Sequence, residues 1–310
     1  MEPAPLVSIV LITHDRLAYL REAVASVLAQ TLAAWELIVL DDGSTDGSAE
    51  WVRSLADGRV RLEARPHRGR VAALRNEGVR LARGRWVAFL DSDDAWREDK
   101  LAAQVAAHRA RPEVRWSYTG RTVVDAAGAV IPDARLAPFR PLAGWISREL
   151  LVHEAKVSLP TVMAERALLE EAGGFDESLP YATDYDLWLR LAVRAECLVL
   201  PEPLTRIRVH PASFTHDRPA VNASFVAVYR KFARANPAPE VRRTCRRQEA
   251  FYAVHLARQR FRRGERLAGV RAVAFALARR PFYRPAWEVL ARGVFRGEAA
   301  RPPAAPPPRG

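Results

Sequence analysis

Lysine and cysteine are nearly missing from this chain. Among 310 residues there are three lysines (Lys100, Lys156, Lys231) and two cysteines, Cys197 and Cys245. Two distant thiols exclude a disulfide framework and supply no Cys-x-x-Cys metal pair, so a reducing compartment is expected. No Gly-x-x-x-x-Gly-Lys occurs, which excludes a Walker-type phosphate loop. The first strand-to-helix turn, Thr13-His14-Asp15-Arg16, also lacks Gly-x-Gly-x-x-Gly, which argues against a dinucleotide fold. No unbroken apolar run approaches the roughly 20 residues of a membrane span. Residues 1–6 carry no basic segment, and the apolar run 7–12 is too short for a secretion signal. A soluble, cytoplasmic protein is expected, at most peripheral at the inner face of the plasma membrane.

What remains is globular: 49% hydrophobic and 27% charged residues, with a length that suggests roughly two domains of about 150 residues. The net charge of +12 is unevenly spread. Residues 1–220 carry 28 Lys and Arg against 31 Asp and Glu, whereas residues 221–310 carry 20 against 5. The basic character belongs to the C-terminal segment alone.

Read in order, residues 7–12 form a β-rich run, and Leu20, Ala23, Val24, Val27 and Leu28 then fall on one helical face. A second strand over 35–40 ends in Asp41-Asp42-Gly43-Ser44-Thr45-Asp46-Gly47. There Gly43 permits a positive φ, and Ser44, Thr45 or Asp46 can cap a helix near 49–55. A short strand over 60–64 and a helix over 71–81, closed by Gly84, follow. The fourth strand is Trp86-Val87-Ala88-Phe89-Leu90, running into Asp91-Ser92-Asp93-Asp94. Alternating strands and helices predict an α/β, doubly wound, mostly parallel sheet.

Acids therefore stand at three successive strand ends: Asp15, Asp41/Asp42 and Asp91/Asp93/Asp94. Ligands in such sheets bind beyond the carboxyl ends of the strands, and crowded carboxylates repel until a divalent cation relieves them. A Mg²⁺ or Mn²⁺ site is the functional reading. An acid-capped turn before a helix starting near Arg97 is the alternative.

Val7-Ser8-Ile9-Val10 with Asp15, Asp41 through Asp46, and Arg75-Asn76-Glu77-Gly78 with Phe89 through Asp94 together resemble the N-terminal half of the family 2 glycosyltransferases of GT-A fold. Gly173-Gly174-Phe175-Asp176-Glu177 followed by Asp184-Tyr185-Asp186-Leu187-Trp188-Leu189-Arg190 resembles that family's acceptor half. The resemblance covers residues 7 to about 215, and implies an inverting enzyme that moves a sugar from a nucleoside-diphosphate sugar, a uridine diphosphate donor by resemblance, to a glycan or lipid-linked glycan acceptor. By the same carry-over, Asp42 would hydrogen-bond the base, Thr13 and Asp15 would line the nucleoside pocket, and Arg75 would meet diphosphate or base. Asp93 would ligate the metal, with Asp91 on ribose or a metal-bound water, and His210 would reach metal or diphosphate. Asp184 matches the catalytic base, and Asp186, facing elsewhere, is the lesser candidate.

Helix capping stays open for Asp42 and Asp184, a structural hydrogen bond for His210, and a salt bridge for Arg75. Where the family usually carries an aromatic or Asn near the first turn, this chain has His14-Asp15, which puts the base pocket in doubt and leaves the metal site untouched.

The domain reading is residues 1–216 for the GT-A unit (1–112 for the donor, 113–216 for the acceptor), 217–298 for a basic helical region, and 299–310 for a Pro-rich disordered tail. Between the halves, a helix over 97–109, an extended segment over 114–124 and a Pro-rich loop over 133–144 are expected, then late strands over 198–200 and 204–209. In the basic region, Phe251, Val254, Ala257 and Phe261 form one stripe, Leu267, Val270, Ala274 and Leu277 a second, and Trp287, Leu290, Ala291 and Val294 a third. Arg242, Arg243, Arg246 and Arg247 share a helical face. That region fits contact with an anionic membrane surface or a plain solvated face. Two rival functions are a sugar nucleotidyltransferase, against which no Gly-rich, Lys-containing loop follows the first strand, and a nucleic-acid-binding module, against which the aromatics are not interleaved with the arginines. No nucleic-acid partner is expected.

Overall fold

The computed structural model describes residues 4–132, 139–210 and 218–295, and the chain divides into two compact units, residues 1–213 and 214–310. The expected loop over 133–144 lies partly, and the expected tail over 299–310 wholly, outside the described residues.

In the first unit, β1 (Val7–Thr13), β2 (Trp35–Asp41), β3 (Val60–Ala64) and β4 (Trp86–Asp91) are linked by α1 (Leu17–Leu28), α2 (Ser48–Arg53) and α3 (Val71–Leu81). These four strands are parallel neighbours in the order β3-β2-β1-β4. Covered on both faces, β1, β2 and β4 are buried along nearly their whole length and read as mostly apolar runs, whereas the edge strand β3 alternates as Val60-Arg61-Leu62-Glu63-Ala64 and is half-buried. Ile9, Leu11, Leu37, Val39, Ala88 and Leu90 pack with Leu20, Val24 and Val27 of α1. Against the opposite face lies α3, so close that a Cβ on Gly78 would fall 2.4 Å from Val10 Cγ1.

Beyond β4 come β5 (Ala95–Trp96), α4 (Lys100–Ala110), β6 (Trp116–Val124), α5 (Ser147–Leu151), β7 (Met163–Glu165), α6 (Arg166–Glu171), α7 (Thr183–Ala192) and β8 (Cys197–Arg208). They extend the sheet to eight strands, β3-β2-β1-β4-β7-β6-β8-β5. The β4–β7, β6–β7 and β5–β8 pairs are antiparallel and the rest parallel. The sheet is mostly parallel, as expected, but mixed in its second half.

Three local expectations change. Gly84 is not a left-handed cap for α3, whose C-cap is the extended Ala82; its hydrogen is needed because a Cβ would fall 2.8 Å from Ser8 N. The two late strands are one, irregular opposite Gly120, where a Cβ would meet Pro201 O at 2.3 Å. The helix expected from Arg97 starts at Lys100.

The second unit consists of α8 (Arg218–Ala235), α9 (Pro239–Arg262), α10 (Arg266–Arg279) and α11 (Arg284–Phe295). Its core keeps most of the α9 stripe and shifts the other two, of which Leu277 and Leu290 pack against it. Val254, Ala257 and Phe261 are buried, but Phe251 is exposed; α10 turns Gly269, Ala272, Val273 and Ala276 inward and leaves Leu267 and Val270 outside; α11 buries Ala286 and Val289 and exposes Trp287 and Val294. The cause is close helix approach: the Phe261 ring lies where Cβ atoms on Gly269 and Gly293 would be, at 2.8 and 2.5 Å. Small residues therefore select the inner faces. Among the described residues no helix is long and apolar enough to cross a membrane. Cys197 and Cys245 are buried and free.

One core residue has a pH signature. Lys100 is fully buried, with its ammonium 4.1 Å from the Trp96 ring and 2.7 Å from Gln104 Oε1. Burial lowers its pKa from 10.5 to about 7. Between those values the unfolded chain holds a proton that the folded chain lacks, so stability rises with pH by up to about 1.4 kcal/mol per unit. Urea unfolding followed from pH 7 to 10 should show this rise, and Lys100→Met should remove it; a slope that survives the substitution would refute the assignment.

Candidate active site

Sheet register decides which side chains meet. Thr13 pairs with Asp41, and Ile12 with Asp91, so the ends of β1, β2 and β4 lie along one edge. Acids more than twenty residues apart are gathered there by strand pairing alone.

At the tip of β4, Asp94 N donates back to Asp91 O at 3.0 Å and closes a tight turn. Asp94 is buried; its Oδ1 accepts from Arg208 N at 2.8 Å, while Arg208 Nε reaches Asp93 O at 3.1 Å. Arg208 also pairs with Glu22 of α1, so the end of β8 fastens the acid turn to the first helix. Asp93 Oδ2 accepts from His210 Nε2 at 2.9 Å and from Arg16. Asp91 Oδ1 accepts from Arg75 Nη2 at 3.0 Å. None of the three caps α4, whose start has no side-chain cap, so the acid-capped turn is excluded.

The electrostatics follow from crowding. Burial and the neighbouring Asp93 and Asp91 carboxylates hold Asp94 well above the usual aspartate range. Desolvation also raises Asp91, Arg75 draws it back, and the Asp93 and Asp184 carboxylates push it up again. Asp184 is thus near enough to be felt at the strand tip.

Packing explains how a residue ninety positions later arrives there. Phe89 of β4 meets Phe175 edge-on, with ring centroids 5.3 Å apart, and Trp188 at 6.3 Å. Asp91 lies two residues beyond Phe89 on the same strand face, and Asp184 one turn before Trp188 on the same helix face. Docking Trp188 on Phe89 therefore brings Asp184 towards Asp91. Arg75 ties the two elements, with Nη1 3.4 Å from Thr183 Oγ1. The Asp184 carboxylate is half-buried and makes no hydrogen bond or ion pair among the described residues. Asp186 is instead buried against Arg190, at 2.6 and 2.9 Å.

Asn76 holds the intervening loop. Its Oδ1 accepts from Phe175 N at 2.7 Å and its Nδ2 donates to Phe175 O at 2.9 Å. Gly174, at φ +67°, passes so near that a Cβ would sit 2.5 Å from Asn76 Oδ1.

On the β2 side, Asp42 does not cap α2. Its Oδ1 and Oδ2 accept from Arg68 N (3.0 Å) and Gly69 N (2.9 Å), and His67 Nδ1 lies 3.0 Å from Oδ2. Asp46 takes the helix-start role, accepting from Ser48 N at 3.0 Å and Leu17 N at 2.7 Å. Asp15, at φ +47°, accepts from Thr45 N at 2.6 Å. The His14 and His67 rings stack at 4.0 Å. The Thr13 hydroxyl is buried with no partner.

Sequence reasoning did not assign roles to Arg16, Arg208, Asp94 or His67. Each acts across 25 or more residues, and no local pattern announces such a pairing.

The donor set fits a divalent cation. Carboxylate oxygens of Asp91 and Asp93 beside the His210 imidazole suit Mg²⁺ or Mn²⁺, and the raised Asp91 and Asp94 mark an edge short of positive charge. Among the described residues no group of three or more such ligands is already gathered as a finished centre; Arg16 occupies the Asp93 oxygen.

The model of the family "Glycosyl transferase family 2" matches residues 8–119. The chain is 30% identical over 186 residues to the UDP-Glc:alpha-D-GlcNAc-diphosphoundecaprenol beta-1,3-glucosyltransferase WfgD of Escherichia coli, covering 60% of this chain and 69% of that one. It spans 34% of the length of two Rickettsia relatives, each an uncharacterized glycosyltransferase, at 28% identity over 69% of this chain. In fold it is similar to S. aureus TarS 1–349 (TM-score 0.67, 18% identity, 89% of this chain and 81% of that one). It is also similar to the mannosyltransferase PcManGT from Pyrobaculum calidifontis in complex with GDP-Man and Mn²⁺ (TM-score 0.61, 22% identity, 94% and 80%). These likenesses are of GT-A type.

The Asn76 clip is testable by stability. Asn76→Ala strands the Phe175 N–H and should cost about 1–3 kcal/mol in urea unfolding. Asn76→Asp keeps the Oδ1 acceptor and should recover part of it; an unchanged midpoint in Asn76→Ala would show that the clip carries no weight.

Proposed function

This chain belongs to glycosyl transferase family 2, and on that premise we propose that it transfers a sugar, with inversion, from a nucleoside-diphosphate sugar to a hydroxyl of a polysaccharide or lipid-linked oligosaccharide. A uridine diphosphate sugar is the donor class the resemblance favours. The observation that carries the reading is the meeting of two carboxylate systems at Arg75: Asp91, next to Asp93, and the unpartnered Asp184 beyond Thr183.

The chain's own groups divide the task. Asp42 hydrogen-bonds the base: each of its oxygens can accept two bonds, so capacity remains beyond the loop amides. Thr13, with its orphaned hydroxyl, and Asp15, which fixes the turn at Thr45, line the nucleoside pocket. Arg75 meets the diphosphate. Asp93, Asp91 and His210 would hold Mg²⁺ or Mn²⁺, which when bound supplies Lewis-acid neutralisation of the departing diphosphate. Arg16, now on the same Asp93 oxygen, would pair with phosphate where the cation takes that oxygen.

Asp184 is the base. It stands in the first turn of α7. A carboxylate suffices there, because the attacking hydroxyl becomes strongly acidic only as its oxygen bonds to the sugar. Attack opposite the leaving group gives inversion. Arg75, held between Asp91 and Thr183, keeps the base and the leaving-group site in register.

The test is a donor screen with Mg²⁺ or Mn²⁺, scored by acceptor-dependent release of nucleoside diphosphate. Asp93→Ala and Asp184→Asn should each lower turnover about a thousandfold. Only Asp93→Ala should weaken metal-dependent donor binding by calorimetry. Donor binding lost in Asp184→Asn but kept in Asp93→Ala would reverse the roles, and pyrophosphate release from sugar phosphate plus nucleoside triphosphate would make the enzyme a nucleotidyltransferase.

A further inference from the structure

We propose that α9 to α11 form a docking surface for an anionic bilayer, with an arginine-lined cleft taking lipid phosphate and the aromatic side chains beside it entering the apolar layer. The cleft measures about 450 Å³ and draws its walls from the start of α9, with Arg242, Arg243, Arg246 and Arg247, and the end of α10, with Arg279 and Arg280.

Neutralisation inside the cleft is slight. Arg279 pairs with Glu249 at 2.8 Å, and Arg280 lies over the Tyr283 ring at 4.5 Å. The four arginines of α9 are exposed and have no acid partner among the described residues. Guanidinium groups converging on a concavity repel one another, unlike groups spread over a convex, solvated face. The α9 N-terminus at Pro239 adds partial positive charge at the same place. Such a field attracts polyanions, and planar guanidinium forks suit phosphate oxygens.

A second observation selects a bilayer among polyanions. Phe282 is 98% exposed, in the turn directly after Arg280. Trp287 is 53% exposed, and its indole N–H donates to Pro281 O at 2.9 Å, which mounts it on that same turn. Neither ring belongs to the core, which is built from Ala, Val and Phe261. A bare Phe and a polar-tipped Trp flanked by arginines have the composition of an interfacial anchor. Each basic residue near an anionic leaflet adds to attraction that fades within a Debye length of about 8 Å.

The inference is independent of the transfer chemistry, since binding is read without donor or metal. The full chain is sedimented with vesicles of phosphatidylcholine, with and without phosphatidylglycerol. Binding is expected only with phosphatidylglycerol, and release at about 0.5 M salt. The double substitution Arg246→Glu/Arg247→Glu should weaken partitioning at least about tenfold, and Phe282→Ser should weaken it less, with circular dichroism and thermal midpoint unchanged in both. Equal sedimentation of wild type and both variants would overturn the proposal. So would binding of inorganic pyrophosphate or a short RNA by a chain that ignores the vesicles.

Discussion

Mutual repulsion among Asp91, Asp93 and Asp94 is the constraint around which the first unit is arranged. Three acids in four residues are delivered by a buried strand to a desolvated edge, where burial and neighbouring carboxylates raise the cost of ionising Asp91 and Asp94. The chain answers with donors from three distant places: Arg16 after β1, Arg75 in α3, and Arg208 with His210 at the end of β8. These contacts do not satisfy all three acids alike. Asp94 is bound inward to Arg208 and serves as the anchor of the turn, while Asp93 and Asp91 hold side-chain cations that a ligand can replace.

Joining the two halves of the sheet is the second requirement. It is met by packing first and polar contacts afterwards. Phe89 against Phe175 and Trp188 fixes α7 under β4, Asn76 holds the loop that leads to it, and Arg75 spans the last gap. Glycines appear where backbone must come very near something else. At Gly78 that is the Val10 side chain, and at Gly174 the Asn76 amide. The motif residues flanking the acids thus act largely as joinery, leaving the carboxylates for chemistry.

The second unit is governed by a different rule. Its helices approach through Gly and Ala, with Phe261 filling the space that absent Cβ atoms leave. Such packing buries the small residues and leaves Phe282, Trp287 and Leu267 in water. Large exposed rings in a segment with 20 basic residues against 5 acidic ones give this unit a surface suited to contact rather than to catalysis.

Much of the first unit was legible in the sequence. The apolar runs of β1, β2 and β4 and the periodic face of α1 are local patterns with fixed periods, and the acids that end those strands needed only a parallel sheet to bring them to one edge. In α10 and α11 the periodic large apolar residues do not mark the inner face, because close helix contact favours small ones. Gly84 serves a close approach rather than a turn, two needs that ask for the same residue. Composition and periodicity by themselves determined the α/β class, the acid-bearing edge and the basic C-terminal region, since each is set by neighbours along the chain. Only the tertiary structure decided that Arg16 shares Asp93 with His210, that Arg208 holds Asp94, and that Asp184 comes near enough to Asp91 to be felt there. Those outcomes depend on which surfaces dock, and docking is a property of shape and packing that local pattern does not encode.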